Sequence, residues 1–205
     1  AKEKEKISID FVNIRDFATD KHKSVDDHPY GGGAGMILRV DIIDKALKKI
    51  NGRKILLDPK GTTYTQKKAR EYSKLDHLII VCGHYEGVDA RVDNLVDEKI
   101  SIGNFVLTGG EIPAMAIIDS VSRLIPGVLR KPEATQSESF SLYQLEFPQY
   151  TRPENYKGMK VPEVLLTGNH ASIDKWRQQH SLNRLTLPRK WVITAFGYGG
   201  SGGSR

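Results

Sequence analysis

The run Leu78–Cys82 (Leu-Ile-Ile-Val-Cys) is continuous, apolar and strand-sized, and it halts at Gly83. With no polar residue to turn toward water on either side, it predicts a strand buried on both faces, as in a parallel sheet. Parallel strands need long crossovers, and segments of helical period flank this one. Asp41 to Ile50 places Ile42, Ile43, Ala46, Leu47 and Ile50 on one face and ends at Asn51-Gly52. Thr65 to Ser73 predicts a polar helix, Val88 to Val96 another, and Glu111 to Leu124 a third whose Pro113 falls in the tolerated first turn. Further strands are expected at Ile7 to Ile14, from its apolar–polar alternation, at Lys54 to Leu57 before the turn Asp58-Pro59-Lys60-Gly61, and within Lys99 to Leu107. Strands alternating with helices define an α/β fold with a mostly parallel sheet flanked by helices.

The chain has 205 residues, enough for one substantial domain and a small appendage. Its character changes after Pro126-Gly127. Residues 1–130 read as the main domain and residues 131–148, polar and without period, as an interdomain linker. Residues 149–188 read as a small helical C-terminal part. Proline and aromatic residues crowd Tyr150 to Pro162, and Ser172 to His180 forms a polar helix pattern with Trp176 and Arg177. Residues 189–205 close the chain with Gly-Gly-Ser-Gly-Gly at 199–203, the composition of a flexible linker.

Several function classes fall away. No apolar run is long enough to cross a bilayer, and Ala1 to Lys6 alternates small and charged residues, unlike a secretory leader. A single cysteine, Cys82, excludes an internal disulfide and suits a reducing, cytoplasmic setting. His22, His28, His77, His84, His170 and His180 lack metal-ligand spacing, so no metal site is assigned. The net charge of +6 and a pI near 9.3 suit an anionic partner, commonly nucleic acid, although many ordinary soluble proteins are this basic.

Three loops stand out because each follows a strand and carries glycine where backbone must approach something closely. They are Asp58 to Gly61, Cys82 to Gly87, and Ser101 to Gly110. Ligands of open α/β sheets sit at the carboxyl ends of strands, where these loops would gather. Backbone amides and carbonyls there can hold an adenine and ribose, with Ile102 and Leu107 in apolar contact; each glycine taken alone is equally a turn former. Tyr30-Gly31-Gly32-Gly33-Ala34-Gly35-Met36 lacks the Gly-Lys-Ser/Thr ending of a phosphate loop. It suits a flexible, close-approach contact with an RNA backbone or base. Arg123 follows Asp119 by one turn and reads either as half of a surface ion pair or as a cation over developing negative charge.

Longer motifs carry a resemblance. Val12 to Phe17, Asp26 to Met36, Cys82 to Asp89, Ser101 to Met115, Ile117 to Arg123, Tyr150 to Pro153 and Val164 to His170 look like the bacterial TrmD family. The likeness runs in the family's order over roughly residues 7 to 188. It implies a SPOUT fold with a trefoil knot in the cofactor region and a homodimer whose active sites are shared between subunits. It also implies methyl transfer from S-adenosylmethionine to N1 of the tRNA guanine just 3′ of the anticodon. A Mg2+ requirement stays open. By the same matching the cofactor pocket comprises Pro59, Gly83, Tyr85, Glu86, Ser101, Ile102, Gly103, Asn104, Phe105, Val106, Leu107, Gly109 and Gly110, and Arg123 stands near the guanine O6. The family's base is an aspartate immediately before Ser-Phe, where this chain has Glu138 before Ser139-Phe140.

The ends depart from the pattern. A first strand and helix expected before Ala1 are missing, as are helices after Asn183-Arg184. Residues 190–196 (Lys-Trp-Val-Ile-Thr-Ala-Phe) resemble that first strand. Two readings follow: a circularly permuted or otherwise rearranged chain, or an appended tail. A protein that keeps the fold and binds cofactor or RNA without turnover is the alternative to an active enzyme. A knotted methyltransferase acting on a ribose hydroxyl is disfavoured by the motifs.

Overall fold

The computed structural model describes residues 6–129, 144–145 and 147–183. The chain divides into two compact units, Ala1–Ser137 and Glu138–Arg205. Residues 190–196 lie outside the described residues.

The first unit is α/β. A short antiparallel pair, β1 (Asp26–Asp27) and β2 (Ile37–Leu38), precedes α1 (Val40–Leu47). Then come β3 (Arg53–Thr63), α2 (Gln66–Tyr72), β4 (Leu78–Cys82), β5 (Glu98–Ser101) and α3 (Glu111–Ser122). The strands form a three-stranded parallel sheet in the order β4-β3-β5. Side chains alternate along a strand, and β3 uses both faces. Ile55 and Leu57 pack with Ala69 and Tyr72 of α2 and with Ala114, Ile117 and Val121 of α3. Leu56 points the other way, into a second cluster with Ile42, Ile43 and Leu47 of α1 and with Val92. The sheet is thus covered on both sides, as its apolar strands require.

Three expectations need correction. Ile7 to Ile14 is not a strand. The Asn13 side chain accepts the Arg15 N–H at 3.1 Å and turns the chain into a 3₁₀ turn, Ile14–Phe17. That local cap defeats the alternation, and Phe11 is left exposed. Val88 to Val96 contains only a 3₁₀ turn, Ala90–Asn94, capped by Asp89. β4 is half-buried throughout rather than buried on both faces, because among the described strands it lies at the sheet edge.

The expected turn at Asp58 to Gly61 is an excursion within β3. Leu57 and Thr62 both pair with Ile100, so the chain leaves the sheet and rejoins it at the same level of β5. The Asp58 carboxylate accepts the Lys60 N–H at 2.7 Å inside the excursion. Gly61 closes it, since a Cβ there would stand 2.5 Å from the Ile100 nitrogen.

At the opposite end of the sheet, Glu98 joins three elements. Lys68 donates to it at 2.6 Å and Arg53 at 3.2 Å. Burial raises the Glu98 pKa, but hydrogen bonding to Lys68 and Arg53 helps to outweigh it, and the group titrates below its ordinary value. A depressed folded pKa contributes stability above the unfolded value and loses it as pH falls through the folded one. Glu98→Gln is expected to lower the unfolding free energy at neutral pH by about 1–3 kcal/mol. The gap to wild type should narrow below about pH 4. Urea denaturation at the two pH values checks both statements.

Among its described residues the second unit holds two strand pairs, a 3₁₀ turn and one helix. β6 (Gln144–Leu145) pairs antiparallel with β9 (Leu182–Asn183), and β7 (Asn155–Tyr156) pairs with β8 (Met159–Lys160) in a tight hairpin. A 3₁₀ turn at Glu163–Leu166 precedes α4 (His170–His180). That helix starts before the expected Ser172 because Asn169 supplies the cap, accepting the Ser172 N–H at 3.2 Å. Trp176 organises this unit. His180 stacks on it at 4.1 Å, and Phe147 and Tyr150 approach it at 6.5 and 6.3 Å.

Candidate functional site

Parallel pairing aligns the carboxyl ends of the three strands. Leu57 lies beside Cys82 and Ile100, so the segments after β3, β4 and β5 emerge at one edge. They enclose a cleft of about 240 Å³, placed where open α/β sheets bind ligands.

Each wall has a local cause. After β4, Tyr85 adopts a left-handed φ of 56°, and the His84 ring nitrogen Nδ1 accepts the Tyr85 N–H at 3.0 Å. Such a conformation is uncommon for a residue with a side chain, and it holds this segment as a tight turn closed by Gly87 N–H to His84 carbonyl. After β5, Ser101 is buried; its hydroxyl donates to the Gly103 carbonyl at 3.0 Å and accepts the Gly103 N–H at 3.2 Å. The segment returns to β4 through an antiparallel bridge between His84 and Gly109 and a 2.8 Å bond from Gly110 N–H to the Gly83 carbonyl. Gly110 then caps α3.

The expected pocket residues converge here. Pro59, Gly83, Tyr85, Glu86, Ser101, Ile102, Gly103, Phe105, Val106, Leu107, Gly109 and Gly110 all line the cleft, and Asn104 does not. The lining also includes Asp58, His84, Gly87 and Thr108, which lie in the three loops singled out from the sequence, and Leu57, Ile100 and Pro113, which lie outside them. Most of these neighbour residues already selected; Leu57, Ile100 and Pro113 could have been found by taking the last strand residue and the first helical turn with each loop. The charged carboxylates in the lining are Asp58 and Glu86, and neither lysine nor arginine is among the lining residues.

The glycine-rich loop after β1 is tied to this site. Glu86 N–H donates to the Met36 carbonyl at 3.2 Å, and a Cβ on Gly35 would overlap the Glu86 side chain. Gly31, Gly32, Gly33 and Gly35 all have positive φ, which glycine alone adopts without penalty. Tyr30, beside them, is fully exposed.

Cys82, the last residue of β4, is not among the cleft's lining residues and is a poor nucleophile. Burial, then the Glu111 carboxylate, pushes its thiol up to about 11, so it stays protonated at neutral pH. Among the described residues no group of three or more His, Cys, Asp or Glu side chains is arranged to hold a metal ion. No described helix is long and apolar enough to cross a membrane.

Arg123 is not at this cleft. It caps the C-terminal end of α3, whereas Gly110 and Pro113 at the N-terminal end line the cleft. At 1.5 Å per residue the two ends lie about 20 Å apart. In its first half α3 exposes two large apolar side chains, Ile112 at 59% and Met115 at 68%. Glu138 lies outside the described residues.

A glycine-walled cleft at the strand ends of an α/β domain is where such sheets bind ligands, and comparison with known proteins gives the class. The family model for tRNA (guanine-1)-methyltransferase TrmD matches residues 1–194. A tRNA (guanine-N(1)-)-methyltransferase of Carboxydothermus hydrogenoformans is 53% identical over 201 residues, covering 96% of this chain and 79% of the relative. The Bacillus pumilus protein of the same name is 55% identical over 202 residues, covering 94% and 82% respectively. The Anoxybacillus flavithermus protein is 52% identical over 203 residues, covering 96% and 83%. The chain therefore belongs to the TrmD family and is a methyltransferase.

Proposed function

We propose that this chain methylates N1 of the guanine just 3′ of the anticodon in tRNA, using S-adenosylmethionine, as a cytoplasmic homodimer with a SPOUT-type trefoil knot. The observation that carries the reading is the cleft itself, in which the motif-bearing segments after three separate strands converge. Its lining fits the cofactor. Turns rich in glycine expose backbone donors and acceptors for a base and ribose, Ile102, Leu107 and Pro113 offer apolar surface, and the Asp58 and Glu86 carboxylates suit a cationic ligand. The bound cofactor supplies an electrophilic methyl group on a sulfonium.

The chain's residues then have two tasks at the guanine. Glu138 takes the weakly acidic N1 proton, making the nitrogen a nucleophile. Arg123 holds the charge that shifts onto O6, and its high pKa keeps it cationic at any working pH. Because Arg123 lies about 15 Å along α3 from Pro113, the nearest lining residue of that helix, it serves the cleft of a second copy. The exposed Ile112 and Met115 on the same helix offer the surface on which that copy would seat. The second unit binds the tRNA.

The test is methyl transfer from labelled S-adenosylmethionine to a tRNA with guanine 3′ of the anticodon, against the same tRNA with adenine there, with calorimetric cofactor binding in parallel. Guanine-dependent transfer supports the proposal; cofactor binding without transfer removes the activity, and no binding removes the pocket. Within that assay Glu138→Gln is expected to lower kcat by roughly 10²–10⁴-fold and to abolish the acid limb of the pH–rate profile. An unchanged profile would take Glu138 out of the mechanism.

A further inference from the structure

The β7–β8 hairpin presents apolar surface that its own unit leaves uncovered. Its two-residue turn, Lys157-Gly158, has positive φ at both positions, 51° and 86°, the geometry that matches the twist of paired strands. Asn155 fixes the turn further, its side-chain oxygen accepting the Gly158 N–H at 3.0 Å. In this register Tyr156 stands directly opposite Met159, so both side chains share one ribbon face. Tyr156 is 54% exposed and Met159 65%. Lys157 holds its ammonium 5.4 Å from the Tyr156 ring centroid. Lys160 and Arg152 add positive charge, against Glu154 alone.

A rigid turn, a solvent-facing aromatic ring beside a thioether, and lysines within a residue of both have the makings of a stacking platform for nucleic acid. An unpaired base can lie on the ring while the lysines meet the phosphates on either side. We propose that the hairpin Asn155–Lys160 contacts an unpaired base of the tRNA, with Tyr156 and Met159 as the platform and Lys157 and Lys160 as its phosphate contacts. The proposal rests on the tRNA reading above and adds a contact to a base other than the reacting guanine. Charge favours RNA over a second copy of the chain, because two copies would bring like charges together at this tip.

The experiment is filter binding of the full chain to substrate tRNA across a salt series, with cofactor calorimetry and sedimentation on the same samples. Tyr156→Ala is expected to weaken tRNA binding roughly 5- to 100-fold at unchanged salt slope. Tyr156→Phe should bind as wild type does, because the ring remains. Lys157→Gln should lower the slope of log affinity against log salt by about one. Cofactor affinity should stay constant in all three. Wild-type tRNA affinity in Tyr156→Ala overturns the proposal, as does an unchanged slope in Lys157→Gln. A shift of Tyr156→Ala to a smaller sedimenting species would assign the tip to a contact between copies and overturn it too. If the wild-type chain binds no tRNA, the functional reading falls first and this one with it.

Discussion

Arg123→Ala is expected to reduce kcat by roughly 10²–10³-fold, the usual cost of removing one donor to a developing oxyanion. The dissociation constant for S-adenosylmethionine should change by no more than about twofold, because the side chain lies far from its own cleft and the interaction is made only as charge develops. Placement on α3 makes a sharper test possible. Mixing Arg123→Ala chains with chains whose cleft is destroyed gives mixed dimers in which one site combines an intact cleft with an intact Arg123. Random pairing puts half the dimers in this class, each with one working site, so activity should return to about a quarter of wild type. Two inactive parents that stay inactive when mixed would show that Arg123 does not act across subunits.

The second large effect is expected from Gly110→Ala. A Cβ at Gly110 would lie 2.7 Å from Cys82 Cα and 3.1 Å from the Gly83 nitrogen. Both are backbone atoms and neither can rotate away. The Gly110 φ of −82° is ordinary, so the effect is purely steric: the N-terminus of α3 must move off the end of β4. That movement breaks the Gly110–Gly83 hydrogen bond and displaces two walls of the cleft at once. Stability should fall by about 1–3 kcal/mol, and cofactor affinity by more than roughly tenfold, a loss of at least about 1.4 kcal/mol. Gly83→Ala is the control for stability, since its new Cβ would meet nothing closer than 3.6 Å. Equal destabilisation by both would refute the steric account.

What could be read from the sequence follows from the range of the interactions involved. The apolar run at Leu78–Cys82 and the α1 face of Ile42, Ile43, Ala46 and Leu47 are patterns set by burial, and burial leaves a periodic trace. The cleft was legible because its walls are glycine-bearing loops after strands, so local turn chemistry and ligand approach fall on the same residues. Asn104 sits inside such a run yet is not part of the lining, and the Ser101–Gly103 hydrogen bonds that shape this segment leave no trace in the sequence pattern. The strand expected at Ile7 to Ile14 failed to a single Asn13 cap, a local bond that alternation cannot register. The half-burial of β4 was equally hidden, since strand order is a property of the assembled sheet. The separation of Arg123 from the cleft is a matter of helix length, and counting residues along α3 would have revealed it.

The excursion from Asp58 to Gly61 has a consequence for how this family can vary. Both of its feet stand on Ile100, and Gly61 is pressed against the neighbouring backbone. Its span is therefore fixed while Pro59 and Lys60 at its crest remain exposed. One inserted residue would shift Thr62 and Thr63 out of their pairing with Ile100 and Ser101. Substitution at the crest disturbs no such register. The rim of the cleft behaves like a mount with a fixed footprint: Pro59 faces the cleft, so drift should accumulate at Lys60 as changes of residue, hardly ever as changes of length.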